Sequence, residues 1–186
     1  MARQIEQGAP VDVFLSADLR WIERLKEQNL VEEDTYIEYA TNRIVLIGDD
    51  STSRLDTIQE LNLQENEQLA VGNPESVPAG TYTKQALERI QLWSRLEDQM
   101  VFGSDVRQVL AYVESGQVDY GFVYASDAMI SDKVITLTKV DHNLHDSIVY
   151  PGIVISKSRS KEQGQKFLTF LTSDRATEIY NAYGFN

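Results

Sequence analysis

No cysteine occurs among the 186 residues, which excludes disulfide bridges, zinc-thiolate sites and a thiol nucleophile while leaving the redox compartment open. Long apolar runs are also missing. Stretches such as Ile44 to Gly48 and Ile153 to Ile155 are strand-sized, far below the roughly 20 residues of a membrane-crossing helix. The amino terminus, Met1-Ala-Arg-Gln-Ile-Glu-Gln, has no basic start followed by an apolar stretch, so no signal peptide is expected in this chain. Basic residues are scarce, 17 against 29 acidic for a formal charge of -12, and such a chain repels nucleic acid and anionic lipid at long range. Nucleic acid is therefore not an expected partner. A small anion is not excluded, because salt screens the global field beyond roughly 10 Å and local dipoles then decide binding.

Catalytic patterns are absent too. Asp12, Asp18, Asp105, Asp119 and Asp127 are scattered carboxylates, no histidine accompanies a serine in a Gly-x-Ser-x-Gly turn, and neither a Walker A loop nor a dinucleotide fingerprint occurs. No enzyme and no cofactor are expected. His142 and His145, beside Asp141 and Asp146, read as solvated loop histidines, and no metal is assigned.

What is present is an alternation of strands and helices. Val11 to Leu15 reads as a buried strand, followed by a helix capped by Ser16 with Trp21, Ile22 and Leu25 on one face. Arg43 to Gly48 and Leu69 to Val71 are further strands, the latter ending in Gly72-Asn73-Pro74. Helical spacing runs through Thr81 to Leu96 and again through Val106, Val109, Leu110 and Val113 up to Gly116. Strands at Val118 to Tyr124, Val134 to Val140 and Ile148 to Ser156 follow, then helices at Phe167 to Leu171 and Ala176 to Tyr183. The class is α/β with a mostly parallel sheet. No repeat and no Gly/Ser/Pro linker divides the chain, so a second lobe requires the chain to cross out and back.

Three places suit an anion. Pro78 opens a helix and leaves the amides of Ala79 and Gly80 free, and free amides with aligned peptide dipoles favour negative charge. Ser104-Asp105-Val106 repeats the arrangement, with Ser104 or Asp105 as cap and the Val106 amide in the first turn. Tyr124 ends a strand, where its phenol can donate to an anion. Ordinary helix starts and a structural tyrosine would look the same in sequence. Two helix starts in one α/β unit favour the anion, since ligands gather outside the strand ends of such sheets.

The segments Ala2-Arg3-Gln4-Ile5-Glu6, Gly8-Ala9-Pro10-Val11-Asp12-Val13-Phe14, Ser16-Ala17-Asp18, Leu69-Ala70-Val71-Gly72-Asn73-Pro74-Glu75, Val77-Pro78-Ala79-Gly80, Gly121-Phe122-Val123-Tyr124 and Tyr183-Gly184-Phe185 together resemble the periplasmic molybdate-binding family (ModA) of molybdate ABC transporters. The resemblance implies a two-lobed periplasmic binding protein fold of type II. One lobe then holds residues 1–43 and 150–186, and the other residues 44–149. It also implies a ligand, molybdate or tungstate, and contacts at the backbone amides of Ala79 and Val106 and the hydroxyl of Tyr124.

The family's opening strand, helix and strand, and the two serines they carry, lie upstream of Met1 in that comparison, so the first lobe is expected to be incomplete. From this follow capture of the oxyanion outside the cytoplasm, in the periplasm or at the cell surface, delivery to a membrane ABC permease, and a homodimer formed through the incomplete lobe. Two other readings stay open: a binder of another tetrahedral oxyanion such as sulfate, and an interaction domain that keeps the fold without a ligand.

Overall fold

The computed structural model describes all residues, Met1–Asn186. In chain order its elements are α1 (Ala2–Glu6), β1 (Val13–Leu15), α2 (Leu19–Glu27), β2 (Val31–Thr41), β3 (Ile44–Gly48), β4 (Leu69–Gly72), α3 (Pro78–Arg89), α4 (Trp93–Leu96), β5 (Met100–Gly103), α5 (Val106–Glu114), β6 (Tyr120–Tyr124), α6 (Ala125–Ala128), β7 (Ile135–Lys139), β8 (Val149–Ile155), α7 (Lys161–Leu171) and α8 (Asp174–Ala182). No helix is long and apolar enough to cross a membrane.

The chain divides into two compact units, a flanking unit of Met1–Thr41 with Ile148–Asn186 and a middle unit of Asn42–Ser147. Each boundary lies two residues earlier than the sequence suggested. Asn42 belongs with the middle unit because its Nδ2 donates to Ser126 Oγ (2.9 Å) and its Oδ1 accepts from the Arg43 amide. Val149 belongs with the flanking unit because it pairs with Thr41 at the start of β8.

The flanking unit is built on an antiparallel sheet of order β1-β8-β2. Its central strand β8 is buried along almost its whole length, since apolar residues cover both faces. Phe14, Ile22, Leu25, Ile153 and Ile155 pack on one side, and Val154, Leu168 and Leu171 on the other. Ser16 does not cap α2. Its Oγ instead closes a turn with the backbone of Asp18, and Asp18 is the cap, accepting from the Arg20 amide at 2.9 Å. The strand β2 was not evident from sequence. Its bulges between Glu32 and Ile37 and between Glu38 and Ala40 destroy the two-residue alternation by which strands are read.

The middle unit carries a five-stranded sheet of order β5-β4-β6-β3-β7. The expectation of mostly parallel strands needs correction. β4 runs parallel to β5 and β6, but β3 is antiparallel to both its neighbours, and the other unit's sheet is wholly antiparallel. All five residues of β3 are buried, as befits a strand covered on both faces. The predicted helix from Thr81 to Leu96 is broken: α3 stops at Arg89, Gln91 turns with φ of 60°, and a single turn, α4, follows. β5 has little strand signal in the sequence, because it lies at the sheet edge with Phe102 exposed.

Candidate functional site

The register of the middle sheet decides which loops are neighbours. Gly72 at the end of β4 pairs with Gly103 at the end of β5, and Ala70 pairs with Gly121 of β6. Carrying the second register forward sets Gly72 level with Val123, so Tyr124 stands one residue beyond. The three parallel strands therefore end at one edge, spaced by about 4.8 Å per step. α3 follows β4, α5 follows β5, and Tyr124 closes β6. The strand order turns back at β5, and right-handed crossovers then put α3 and α5 on opposite faces. Val109, Leu110 and Val113 of α5 pack on the face of Val45, Ile47 and Val123. Helix starts that diverge from adjacent strand ends leave the crevice in which α/β sheets hold ligands.

Two glycines set how closely the helices approach. A Cβ on Gly80 would lie 2.5 Å from the Gly72 carbonyl carbon and nearer still to its oxygen, so only glycine lets α3 begin directly over the end of β4. A Cβ on Gly103 would lie 2.9 Å from a Val109 methyl and 3.1 Å from the Asp105 carbonyl oxygen, so α5 also packs closely on β5, though less tightly than α3 on β4. The sequence marked Gly72 and Gly80 as turn and helix-start residues. Nothing in it marked Gly103, whose role comes from the packing of α5.

The helix starts are capped differently. α3 opens with Pro78 and has no side-chain cap. The proline lacks an N–H, and the amides of Ala79 and Gly80 lead the first turn. Ala79 is 1% exposed. α5 is capped by Asp105, whose Oδ1 accepts from the Gln108 amide (2.9 Å), while Gln108 Oε1 accepts from the Ser104 amide (2.6 Å). This reciprocal arrangement, a variant of the capping box, satisfies the Gln108 amide and leaves Val106 and Arg107 leading the helix. Of the two expected caps, Asp105 fills the role and Ser104 is a donor.

The structure thus brings the carriers of all three sequence-derived contacts, Ala79, Val106 and Tyr124, to one edge of one sheet. Tyr124 is half-buried and pairs with Ile44 of β3. Immediately beyond it, Asp127 on α6 is a carboxyl the sequence had treated as incidental. Burial raises its pKa above the ordinary aspartate range, and the Arg107 guanidinium opposes the shift.

At the other end of the sheet, a cavity of about 510 Å³ is lined by Asp49, Glu60, Glu67, Asp119 and Tyr120, among others. Its carboxylates repel anions, and burial, reinforced by Glu67, Asp119 and Asp49, holds the Tyr120 phenol above its usual pKa. No group of histidine, aspartate and glutamate side chains is arranged to hold a metal ion. The two loop histidines differ from each other. His142 is exposed beside Asp141, whereas His145 is 5% exposed with its ring 5.6 Å from that of Tyr82. The expectation of two solvated histidines therefore fails at His145, because α3 covers it.

The whole chain, residues 1–186, matches the family model of bacterial extracellular solute-binding proteins. A Bacillus subtilis protein named as an ABC transporter substrate-binding lipoprotein, YvgL, is 38% identical over 189 residues, spanning all of this chain and 71% of that one. The molybdate-binding protein ModA of Haemophilus influenzae is 35% identical over 191 residues, covering all of this chain and 74% of its own length. Among solved structures, a substrate-binding domain assigned to a molybdenum ABC transporter of Clostridium difficile superposes with a TM-score of 0.94 at 38% identity, over all of this chain and 80% of that one. The fold is that of the type II periplasmic binding proteins, and the chain belongs to the bacterial extracellular solute-binding protein family, alongside the ModA proteins.

Proposed function

We propose that this chain binds molybdate or tungstate outside the cytoplasm and delivers the oxyanion unchanged to the membrane permease of an ABC transporter. The observation that carries this reading is the shared sheet edge at which α3 and α5 begin and β6 ends in Tyr124. The amides of Ala79 and Val106 and the Tyr124 hydroxyl are the proposed donors. A tetrahedral dianion accepts several hydrogen bonds and carries no proton to give back, so a site made of donors alone suits it. The relatives named for molybdate support the choice of anion. Thermal unfolding with and without molybdate, tungstate and sulfate tests it. A ligand at a hundred times its dissociation constant stabilises the fold by about 2.7 kcal/mol. A stabilisation by sulfate alone would move the assignment to that anion, and none with any of the three would leave a fold without a ligand.

A second surface supports a homodimer as part of the same proposal. β1 forms one edge of the flanking sheet, and beside it lies a recess of about 560 Å³ lined by Met1, Phe14, Leu15, Ala17 and Trp21, among others. Open strand edges next to apolar surface recruit another strand, and the proposed occupant is β1 of a second copy. Sedimentation at low micromolar concentration should show a dimer that Leu15→Lys dissociates. A compact monomer of the unaltered chain overturns this assembly without touching the binding site.

A further inference from the structure

The stretch from residue 141 to 147 leads from β7 to the end of the middle unit, and it is fastened to α3. Gln85 grips Asp146 twice: Gln85 Nε2 donates to Asp146 Oδ2 at 2.7 Å, and the Asp146 amide donates to Gln85 Oε1 at 3.0 Å. One turn further along α3, Arg89 Nη1 donates to the Asn143 carbonyl at 2.6 Å. One turn earlier, the Tyr82 ring packs against buried His145. His145 Nδ1 lies 2.7 Å from the Asp146 carbonyl oxygen. A carbonyl only accepts, so Nδ1 carries the hydrogen and donates it. Tyr82, Gln85 and Arg89 are spaced by three and four residues, which makes them a single stripe along α3.

The near neighbours on α3 are engaged elsewhere. Lys84 lies 3.8 Å from Glu88 and over the Trp93 ring. The stripe at Tyr82, Gln85 and Arg89 therefore holds the 141–147 segment without competition from that pair.

We infer that Gln85 and Asp146, supported by Arg89 and His145, are positioning residues of the anion site, holding α3 at the angle that aims the amides of Ala79 and Gly80. The inference rests on the proposed anion binding at that helix start. At its beginning α3 is located by the close approach of Gly80 to Gly72 and by Thr81 Oγ1 donating to the Pro74 carbonyl at 2.8 Å. Thr83, Ala86 and Leu87 bury the face of α3 that meets the sheet, and the clip holds a different stripe of the helix. With the first turn seated on β4, Gln85 lies about 9 Å along the axis from Ala79, so a shift of about 2.4 Å at an opened clip swings α3 by roughly 15° and turns the N–H groups of Ala79 and Gly80 with it. Binding constellations are held to within about 10 to 20°, and such a swing reaches that limit. The clip therefore restrains the direction of α3 in addition to its seat.

A charge exchange tests this. Gln85→Glu sets a carboxylate against that of Asp146 and should open the clip. Combining it with Asp146→Asn restores a donor facing an acceptor and returns the net charge to that of the unaltered chain. Molybdate affinity is measured by calorimetry, and the amide ¹H–¹⁵N resonances of Ala79 and Gly80 are recorded without ligand.

Q85E should weaken molybdate binding by about tenfold, in keeping with donors turned away from the productive direction, and should shift both resonances. The double variant should return the affinity to within about twofold and the resonances to their original positions. An unchanged affinity and unmoved resonances in Q85E overturn the inference, as does a loss that persists in the double variant. If the unaltered chain does not bind molybdate, the functional proposal falls, and the ligand-free resonances alone decide the clip by the same two outcomes.

Discussion

Gly80→Ala places one methyl group where α3 meets the end of β4. Its Cβ would stand 2.5 Å from the Gly72 carbonyl carbon and 3.1 Å from the Asn73 carbonyl carbon. Carbon atoms settle at about 3.5 to 4.0 Å, so the helix start must retreat by roughly 1 Å. Both atoms are backbone, and no rotamer change relieves the overlap. Alanine in place of glycine lowers the entropy of the unfolded chain and would contribute about 0.4 to 1 kcal/mol of stability at an unstrained position. Overpacking costs about 1 to 3 kcal/mol, and with rigid neighbours the upper part of that range applies. The net is a destabilisation of about 1 to 2 kcal/mol.

The effect on binding is separate. A retreat of that size takes the Ala79 amide out of reach of a ligand held by the other donors. Loss of one charge-assisted hydrogen bond, about 1.5 to 3 kcal/mol, weakens binding by roughly tenfold to a hundredfold. Calorimetric unfolding and molybdate titration of the same preparation measure the two effects. A variant that melts at or above the temperature of the unaltered chain and binds with full affinity would refute the reasoning, because the β4–α3 junction would then be soft.

Other outcomes follow from single groups. Tyr124→Phe removes one donor at nearly constant volume, so molybdate affinity should fall by about tenfold to a hundredfold with little change in melting temperature. Unchanged affinity would assign the phenol a structural role. Asp127 has a raised pKa because burial penalises its carboxylate, so its favourable contribution is present when it is neutral and is lost as pH rises through the folded-state value. Asp127→Asn should therefore raise the melting temperature at pH 7 and lose that advantage below about pH 4. An equal gain at both pH values would contradict the burial argument. Asp18 runs the other way: its hydrogen bonds with Arg20 lower its pKa, so its stabilisation holds above about pH 3.9 and is lost as pH falls through the folded value. Asp18→Ala should cost about 1 kcal/mol at pH 7 as a lost cap of α2, with the difference from the unaltered chain fading in acid.

Much of the site could be read from local pattern, because a helix start announces itself by a proline, a cap and the apolar spacing that follows. Pro78, Asp105 and the run from Val106 to Val113 are signals of that kind. What local pattern does not carry is register. That Gly72 and Gly103 end side by side depends on pairing between strands about thirty residues apart, and Gly103 gains its meaning only when α5 packs on it. The direction of β3 was hidden for the same reason, since a strand buried on both faces looks alike in either orientation. β2 is not legible in the sequence because the acidic run Glu32-Glu33-Asp34 and two bulges leave only Val31, Thr35 and Ala40 buried, with no alternation to follow. Nothing local marks His145 as buried, because its cover is supplied by α3, whose Tyr82 is distant in sequence.

β8 lies between β1 and β2 and is the only strand either of them pairs with. On the ribosome this imposes a waiting time. β1 ends at Leu15 and β8 begins at Val149, so at about 5 to 20 residues per second the first strand waits roughly 7 to 27 s for its partner. Meanwhile every strand of the middle sheet has been made, and its first strand, β3, already has both neighbours, β6 and β7. The middle unit is thus able to close while the flanking unit is still two unpaired strands with open edges. A chain cut after Ser147 would keep the helices of the proposed anion site on a finished sheet yet carry β1 and β2 as permanent orphans, and such edges direct nascent chains toward aggregation or chaperones.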